Sequence, residues 1–469
     1  MSVYGGLFHN VVFPAWESVL RKRPTMKHLA WLERTQWASY DELCAIQSGE
    51  LRKLLDHAFD NVPYYRKLFD ARGLRPADFR RVEDLAQLPV LGRDDARQAG
   101  DTRKSLRAPL CDLKKLTGGS TGEPLRFGYD LGSEHWRQAV KLRGWGWTGY
   151  RVGDPTLYFW GPATNKPPGR ARRTKIAADR LLKRETYVDC TNRGPAELQA
   201  VVDTILRDRP ENLICYTNAG IDLARYIVER GIEVPPMTVL CCAEALDVLG
   251  RKLVESAFGK RVFETYGCRE VMLIGSECDA HDGLHTSMEN LVVEVLVREG
   301  DQLRPAAYGE LGEVAITDLH NYGMPFIRYL NGDMAVAGPT GRCSCGRGLG
   351  RLASVDGRVA EALRDAHGAP VCGILLSRIF SWSEALARAV VHWQCVQHAD
   401  GSITLKLQPR EALSEEALSD IRRNFGRYMK GVTVRTELVR EIPLGKNGKL
   451  KRVIIERPLD HTDDKRLAG

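Results

Sequence analysis

No run in this 469-residue sequence approaches the ~18 consecutive apolar residues of a membrane span, and the mean hydropathy is −0.30. Met1 to Pro14 lacks a basic start and a small-residue cleavage site, so no signal peptide is expected. Internal repeats and low-complexity tracts are missing too. A large excess of one charge is missing: 68 Lys and Arg against 60 Asp and Glu leave a net +8. Spread over this length, that is a mild bias towards anionic partners such as nucleotides, without the footprint of a nucleic-acid binder. The expectation is a soluble, cytoplasmic chain without a membrane span. Cysteine is not scarce. The twelve thiols of a chain without a leader are expected to stay reduced, mostly as small core residues.

With 43 % hydrophobic residues the chain can bury a large core, which excludes global disorder. The first hundred residues read as helical. Leu51, Leu54, Leu55, Ala58 and Phe59 fall at i, i+3, i+4, i+7 and i+8, an apolar face that stops near Val62-Pro63. From 155 to 266 the pattern alternates. Short apolar runs at Thr156–Trp160, Asn212–Tyr216, Thr238–Cys242 and Arg261–Tyr266 are separated by helix-like segments, Ile221–Arg230 and Ala245–Phe258 among them. That alternation predicts βαβ units and a largely parallel sheet covered on both faces. Leu291–Val297 and Leu311–Thr317 read as further strands. A glycine-rich stretch, Gly338 to Gly350, precedes a tail with strands at Ile403–Leu407 and Val432–Leu438 and a helix at Ser414–Met429. The expected fold is α/β: a large N-terminal domain (1–355) with mixed, largely parallel sheets flanked by helices, and a small, mobile α+β C-terminal domain (356–469).

The strongest local signal is Leu116-Thr117-Gly118-Gly119-Ser120-Thr121-Gly122-Glu123-Pro124. Glycines let such a loop turn its N–H groups towards an anion, and the hydroxyls add donors. No Gly-Lys-Ser/Thr follows, so it is not a Walker A loop. Alone it would read as an ordinary turn, but four more segments follow in order. They are Ala243-Glu244-Ala245-Leu246, then Glu264-Thr265-Tyr266-Gly267-Cys268-Arg269-Glu270, then Tyr322 to Asp333, and finally Pro443-Leu444-Gly445-Lys446-Asn447-Gly448-Lys449-Leu450-Lys451-Arg452.

With the N-terminal run Gln47…His57-Ala58…Val62-Pro63-Tyr64-Tyr65, this series resembles the adenylate-forming (acyl-CoA synthetase) superfamily over nearly the whole chain. Within it the sequence is most similar to the phenylacetate–CoA ligase and CapK-like branch. The resemblance implies ATP-dependent conversion of a carboxylic acid to an acyl-adenylate with pyrophosphate release. Transfer of the acyl group to CoA follows, or transfer to an amine as the alternative; a catalytically silent nucleotide-binding protein is the non-enzyme reading. It also implies roles. Thr117, Gly118, Gly119, Ser120, Thr121 and Gly122 match the loop that holds the ATP phosphates. Ala243, Glu244, Tyr266 and Gly267 match the segments that frame adenine. Glu270 matches a Mg²⁺ ligand, Asp333 the ribose-binding carboxylate, Arg358 the arginine beside it, and Lys449 the catalytic lysine of the small domain. The sequence departs from the pattern at Glu123, where lysine is common, at Leu330-Asn331, where arginine and threonine are usual, and at Ala360, where an acidic hinge residue is usual.

Cys278, His281 and His285 on one segment and Cys343-Ser344-Cys345-Gly346-Arg347 on another have the residue types of a zinc site, though not the spacing of a standard finger. The branch is similar here, which implies a structural Zn²⁺ held by Cys278, His285, Cys343 and Cys345. Between Lys166 and Arg184 stand eight Lys/Arg and one acid, Asp179, read as a solvated helix face or as a patch for a phosphate-bearing substrate such as CoA. Cys241-Cys242 and Trp136, Trp145 and Trp147 read as core packing rather than a nucleophile or an acyl pocket. His135 and His320 have no recognisable partner in the sequence.

Overall fold

The computed structural model describes residues 3–116, 124–161, 169–300, 302–358, 363–367, 370–371, 389–410, 412–443 and 450–456. The helical N-terminal region forms as expected. Helix Tyr40–Asn61 is closed at its start by a capping box, Ser39 with Glu42, and ends where Pro63 begins the next helix, Pro63–Arg72. Leu51, Leu54, Leu55 and Ala58 are fully buried against Tyr65, Phe69 and Phe79.

A hairpin of β1 (Leu113–Leu116) and β2 (Arg126–Tyr129) flanks the glycine-rich Thr117–Gly122 segment, which lies outside the described residues. The main sheet has twelve strands. Five of them, β3 (Thr156–Trp160), β4 (Glu185–Asp189), β5 (Asn212–Tyr216), β6 (Thr238–Cys242) and β7 (Val262–Cys268), pair in parallel in the order β4-β3-β5-β6-β7. These are the βαβ units read from the alternating pattern. Their core, including Leu213, Cys215, Val239 and Cys241, packs under helices Pro195–Asp208, Thr217–Glu229 and Val248–Phe258.

The same sheet continues as an antiparallel half. It comprises β8 (Met272–Glu277), β9 (Leu284–Thr286), β10 (Leu291–Glu299), β11 (Gln302–Pro305), β12 (Leu311–Asp318), β13 (Tyr329–Ala337) and β14 (Arg351–Arg358). From β7 outwards the order is β8-β9-β14-β13-β12-β10-β11, so parallel pairing is confined to the β3–β7 half. The C-terminal unit is a short pair, β15 (Leu363–Arg364) and β16 (Pro370–Val371), and a four-stranded sheet. That sheet is formed by β17 (Val390–Gln397), β18 (Ile403–Pro409), β19 (Val434–Leu438) and β20 (Val453–Ile455). Helix Glu415–Tyr428 covers it with Ile421 and Phe425, the α+β unit expected of the tail.

Candidate active site and metal centre

β9 is only three residues long. It joins β8 to β14 through His285 and Leu284, paired with Arg351 and Leu352. Past its end, no strand among the described residues pairs β8 with the far half of β14, and the Tyr266 ring reaches across from β7. Its hydroxyl donates to Asp333 Oδ2 at 2.9 Å. Asn331 Nδ2 donates to both, at 2.7 Å to the Tyr266 oxygen and 2.7 Å to Asp333 Oδ2, while Asp333 N donates to Asn331 Oδ1 at 3.0 Å. Arg358, paired with Asp333 across β13 and β14, brings its Nε to 3.5 Å from Asp333 Oδ1. Burial, then the Asp333 charge, pushes the Tyr266 phenol well above its usual range, so it stays a donor.

Gly267 follows Tyr266 because a Cβ there would lie 2.1 Å from the Met272 carbonyl oxygen across the β7–β8 pair. Glu270 lies in the tight turn between those strands and is buried, with Oε1 accepting from the Tyr329 hydroxyl at 3.0 Å. Tyr266, Asp333 and Arg358 are thus bonded into one cluster, and Glu270 lies near it, the Glu270 and Asp333 charges both acting on the buried Cys268 thiol.

Ala243 and Glu244 form the turn at the carboxyl end of β6, where open α/β sheets receive ligands. Ala243 holds φ +69°, a left-handed conformation uncommon outside glycine. Thr217 Oγ1 donates to the Glu244 carbonyl at 2.6 Å, and Asn218 N donates to Glu244 Oε2 at 3.2 Å. Asn218 Oδ1 in turn accepts from Arg452 Nη2 at 3.2 Å, and Arg452 Nη1 lies 3.3 Å from Asp247 Oδ2. Lys449 lies outside the described residues, but Arg452, three positions on, ties the C-terminal unit to this turn.

Asn218 and Asp247 escaped the sequence reading, and Asn331 and Arg452 were read only as members of their motifs, since the partners that matter are 26 to 234 positions away. Trp160 and Tyr216, ring centroids 4.5 Å apart at the carboxyl ends of β3 and β5, escaped it too. Glu264, two residues before Tyr266, accepts from Leu246 N at 3.0 Å; burial, with the Glu277 charge adding, pushes its carboxyl up to about 7.

The cysteine–histidine set converges elsewhere. The ligand atoms of Cys278, His285, Cys343 and Cys345 all lie within 4.8 Å of one another. Cys278 Sγ is 4.0 Å from Cys343 Sγ and Cys345 Sγ is 3.4 Å from His285 Nε2. A tetrahedral zinc with bonds of ~2.3 Å to sulfur and ~2.0 Å to nitrogen requires edges of roughly 3.5 to 3.8 Å, so the residues fit. His285 Nδ1 faces the Leu349 carbonyl at 3.1 Å, leaving Nε2 for a metal, and burial lowers the imidazole to about 4, so it is neutral. Burial works against ionising Cys345, but hydrogen bonds from Arg347 and the neighbouring thiols bring its thiol below the usual value. His281 is not part of the set; its Nδ1 lies 3.0 Å from Glu277 Oε1. From His285's partner Arg351 to Arg358 is seven residues of strand, about 23 Å, so the cluster is remote from Asp333.

The remaining assignments read as packing are packing. Cys241 and Cys242 are buried in β6. Trp136 is stacked between His28 and His320, 4.0 and 3.9 Å away, which supplies the partner His320 lacked in the sequence. Trp145 packs on Tyr150, and Trp147 lies edge-on to His285.

No family model matches the chain. Curated relatives do. The phenylacetate–coenzyme A ligase of Thermus thermophilus is 26 % identical over 452 residues, covering 88 % of this chain and 96 % of that protein. The chain is related to the phenylacetate–coenzyme A ligases. The Escherichia coli phenylacetate–coenzyme A ligase is 28 % identical over 350 residues, 71 % of this chain and 75 % of its own, and Protein CapK of Staphylococcus aureus is 22 % identical over 70 % of each. Among solved structures, a 2-hydroxyisobutyryl-CoA ligase in the postadenylation state, with an acyl-AMP bound, matches with a TM-score of 0.71. Its identity is 18 %, over 91 % of this chain and 92 % of the other. The fold is that of this 2-hydroxyisobutyryl-CoA ligase.

Proposed function

We propose that this chain is an ATP-dependent, AMP-forming ligase that converts a carboxylic acid to an acyl-adenylate, releases pyrophosphate and passes the acyl group to CoA. The observation that carries the reading is the Tyr266–Asn331–Asp333–Arg358 cluster with Glu270 beside it, five motif residues spread over 93 positions and gathered at a gap in one sheet. The named CoA ligases among the relatives favour CoA over an amine as acceptor.

In this reading Asp333, held by Tyr266 and Asn331, takes the ribose hydroxyls, with Arg358 beside it. The Ala243–Glu244 turn and Tyr266 bound the adenine, and Thr117–Gly122 receives the phosphates. Glu270 is a buried hard-oxygen donor suited to Mg²⁺, which when bound supplies positive charge beside the phosphates. The acid is already ionised at neutral pH, so its attack on the α-phosphorus needs no general base. Lys449 neutralises the charge that builds there. The division falls just after β14, the C-terminal part being a mobile cap that keeps water from the adenylate. Cys278, His285, Cys343 and Cys345 hold a structural zinc. The protein works in the cytoplasm.

The test is product analysis on a panel of carboxylic acids with ATP and Mg²⁺. Pyrophosphate should appear only with an accepted acid, and added CoA should turn bound adenylate into a thioester seen by mass spectrometry, with AMP released. ADP and phosphate as products would overturn adenylation; an adenylate that persists with CoA and vanishes with an amine would overturn the acceptor.

A further inference from the structure

Two segments far apart in sequence form one exposed edge. Over residues 3–20 the chain is helical, with π-turns at Phe8–Val12 and Trp16–Leu20. Wider turns bring side chains about four residues apart into line. Gly5, Phe8 and Glu17 face inwards, whereas Val3, Leu7, Val11, Val12, Trp16, Val19 and Leu20 are exposed, Val3 at 91 % and Val19 and Leu20 at 69 %. The only carboxylate in this stretch, Glu17, is buried and 3.3 Å from Arg23. So many large apolar side chains together are unusual on a water-facing surface.

Against it lies helix Arg170–Lys183, which has no buried residue. Tyr4 donates from its hydroxyl to the Leu182 carbonyl at 2.7 Å, and the Arg184 guanidinium sits 5.8 Å from the Tyr4 ring. This helix carries Arg170, Arg172, Arg173, Lys175, Arg180 and Lys183, followed by Arg184. Asp179 is its single acid and is paired with Lys183 at 2.8 Å. Leu181, 79 % exposed, and Leu182 point outwards beside the cations. The helix adjoins the edge strand β4, four strand spacings or about 19 Å from β7, so it is not part of the Tyr266 cluster.

We propose that this edge docks on an anionic lipid surface, the apolar row entering the headgroup boundary while the basic helix meets lipid phosphates. Charge decides the occupant. The patch combines apolar side chains, an indole and a phenol with cations and almost no carboxylate, the composition of helices that lie in a bilayer interface. A second copy would bring the same seven cations to the interface with almost no exposed carboxylate to pair them.

The test is sedimentation of the full chain with vesicles of phosphatidylcholine alone or with about one third phosphatidylglycerol. Partitioning to the anionic vesicles should be at least about tenfold stronger and weaken with salt. Leu7→Glu/Leu20→Glu and Arg172→Glu/Arg173→Glu should each lose most of it. The first variant's lipid-free pyrophosphate release, and the unfolding temperature of both, should stay at wild-type values, showing that they fold. Binding to neither vesicle, or equal binding to both that survives the Arg172/Arg173 reversal, overturns the proposal. So does self-association that Leu7→Glu/Leu20→Glu abolishes while lipid binding is absent.

Discussion

Asn331 stands where the family pattern has threonine, and its amide does two jobs at once. The Nδ2 group bridges the Tyr266 oxygen and Asp333, while Oδ1 receives the Asp333 N–H, so the carboxylate is aimed before any ligand arrives. The sequence placed Asp333 in a motif but could not place this bridge, because the Tyr266 partner is 65 positions away. Lys449 is the residue on which the first half-reaction should turn. Removing a preorganised cation from a developing anionic transition state costs ~3–4 kcal/mol, two to three orders of magnitude in rate. Lys449→Ala should cut single-turnover adenylation by that factor and leave ATP binding nearly intact, with Lys451→Ala costing far less; near-normal rates in the first variant would refute the role. Glu264 offers a separate check through pH. Its folded carboxyl titrates near 7, above its ordinary value, so the folded state holds a proton that the unfolded chain loses between pH 4.5 and 7. Its contribution therefore turns unfavourable as pH rises through that window. Glu264→Gln, which keeps an acceptor for Leu246 N, should raise the melting temperature at pH 8 and change it little at pH 4.5. Equal shifts at both pH values would dismiss the buried-acid account.

At the scale of elements, legibility followed burial. The runs Thr156–Trp160, Asn212–Tyr216 and Thr238–Cys242 are strands with the expected ends, since a strand covered on both faces is a short continuous apolar run. β8, β13 and β14 were not legible that way. Their sequences mix glycine and charged residues with apolar ones because one end of each borders the candidate site, and Asp356, Gly357 and Arg358, read as the start of the next domain, complete β14. The glycine-rich connector between β13 and β14 is itself a small element. Cys343 N donates to the Arg347 carbonyl and Gly346 N to the Cys343 carbonyl, a tight turn in which Gly346 holds φ +91°. Cys278 follows β8 and His285 lies within β9, so a bound zinc would pin this turn to the strand that joins the sheet's two halves. With zinc bound there, metal affinity is folding energy. Purified protein should hold about one zinc per chain. Cys343→Ser should lose it and lower the melting temperature, while removal by a chelator should destabilise the wild type and leave the variant unchanged. Metal analysis finding no zinc in protein purified without chelator would eliminate the site.

For the whole molecule, the described contact between the large sheet and the C-terminal unit is mostly polar, with Leu249 of helix Val248–Phe258 packed against the C-terminal core. Arg452 reaches Asp247 and Asn218 while its guanidinium lies 5.1 Å from the Trp393 ring, and Arg410 pairs with Glu229. Arg225 Nη2 donates to the Val391 carbonyl at 3.3 Å. His392 approaches Asp222 at 3.6 Å, but burial lowers its imidazole to about 4, so at neutral pH this is not an ion pair. Such a junction can part and re-form, because charged groups regain water when it opens, whereas a hydrophobic seam of the same size would resist. Arg452 is the contact nearest to Lys449 in sequence, and its partners are the Asn218 that holds Glu244 and the Asp247 that caps helix Val248–Phe258. Losing it should therefore cost the arrangement in which Arg452 meets the Ala243–Glu244 turn and leave any other arrangement alone. Hydrogen bonds to charged groups are worth ~1.5–3 kcal/mol, and partial exposure trims this, so Arg452→Ala should slow adenylation about tenfold. Thioester formation from supplied acyl-adenylate and CoA should stay within about twofold, and Arg452→Lys should recover part of the adenylation loss through its remaining charge. Single-turnover measurement of each half-reaction reads the two effects separately. If both halves slowed equally, Arg452 would be stabilising the C-terminal unit as a whole, and the latch to this turn would be refuted.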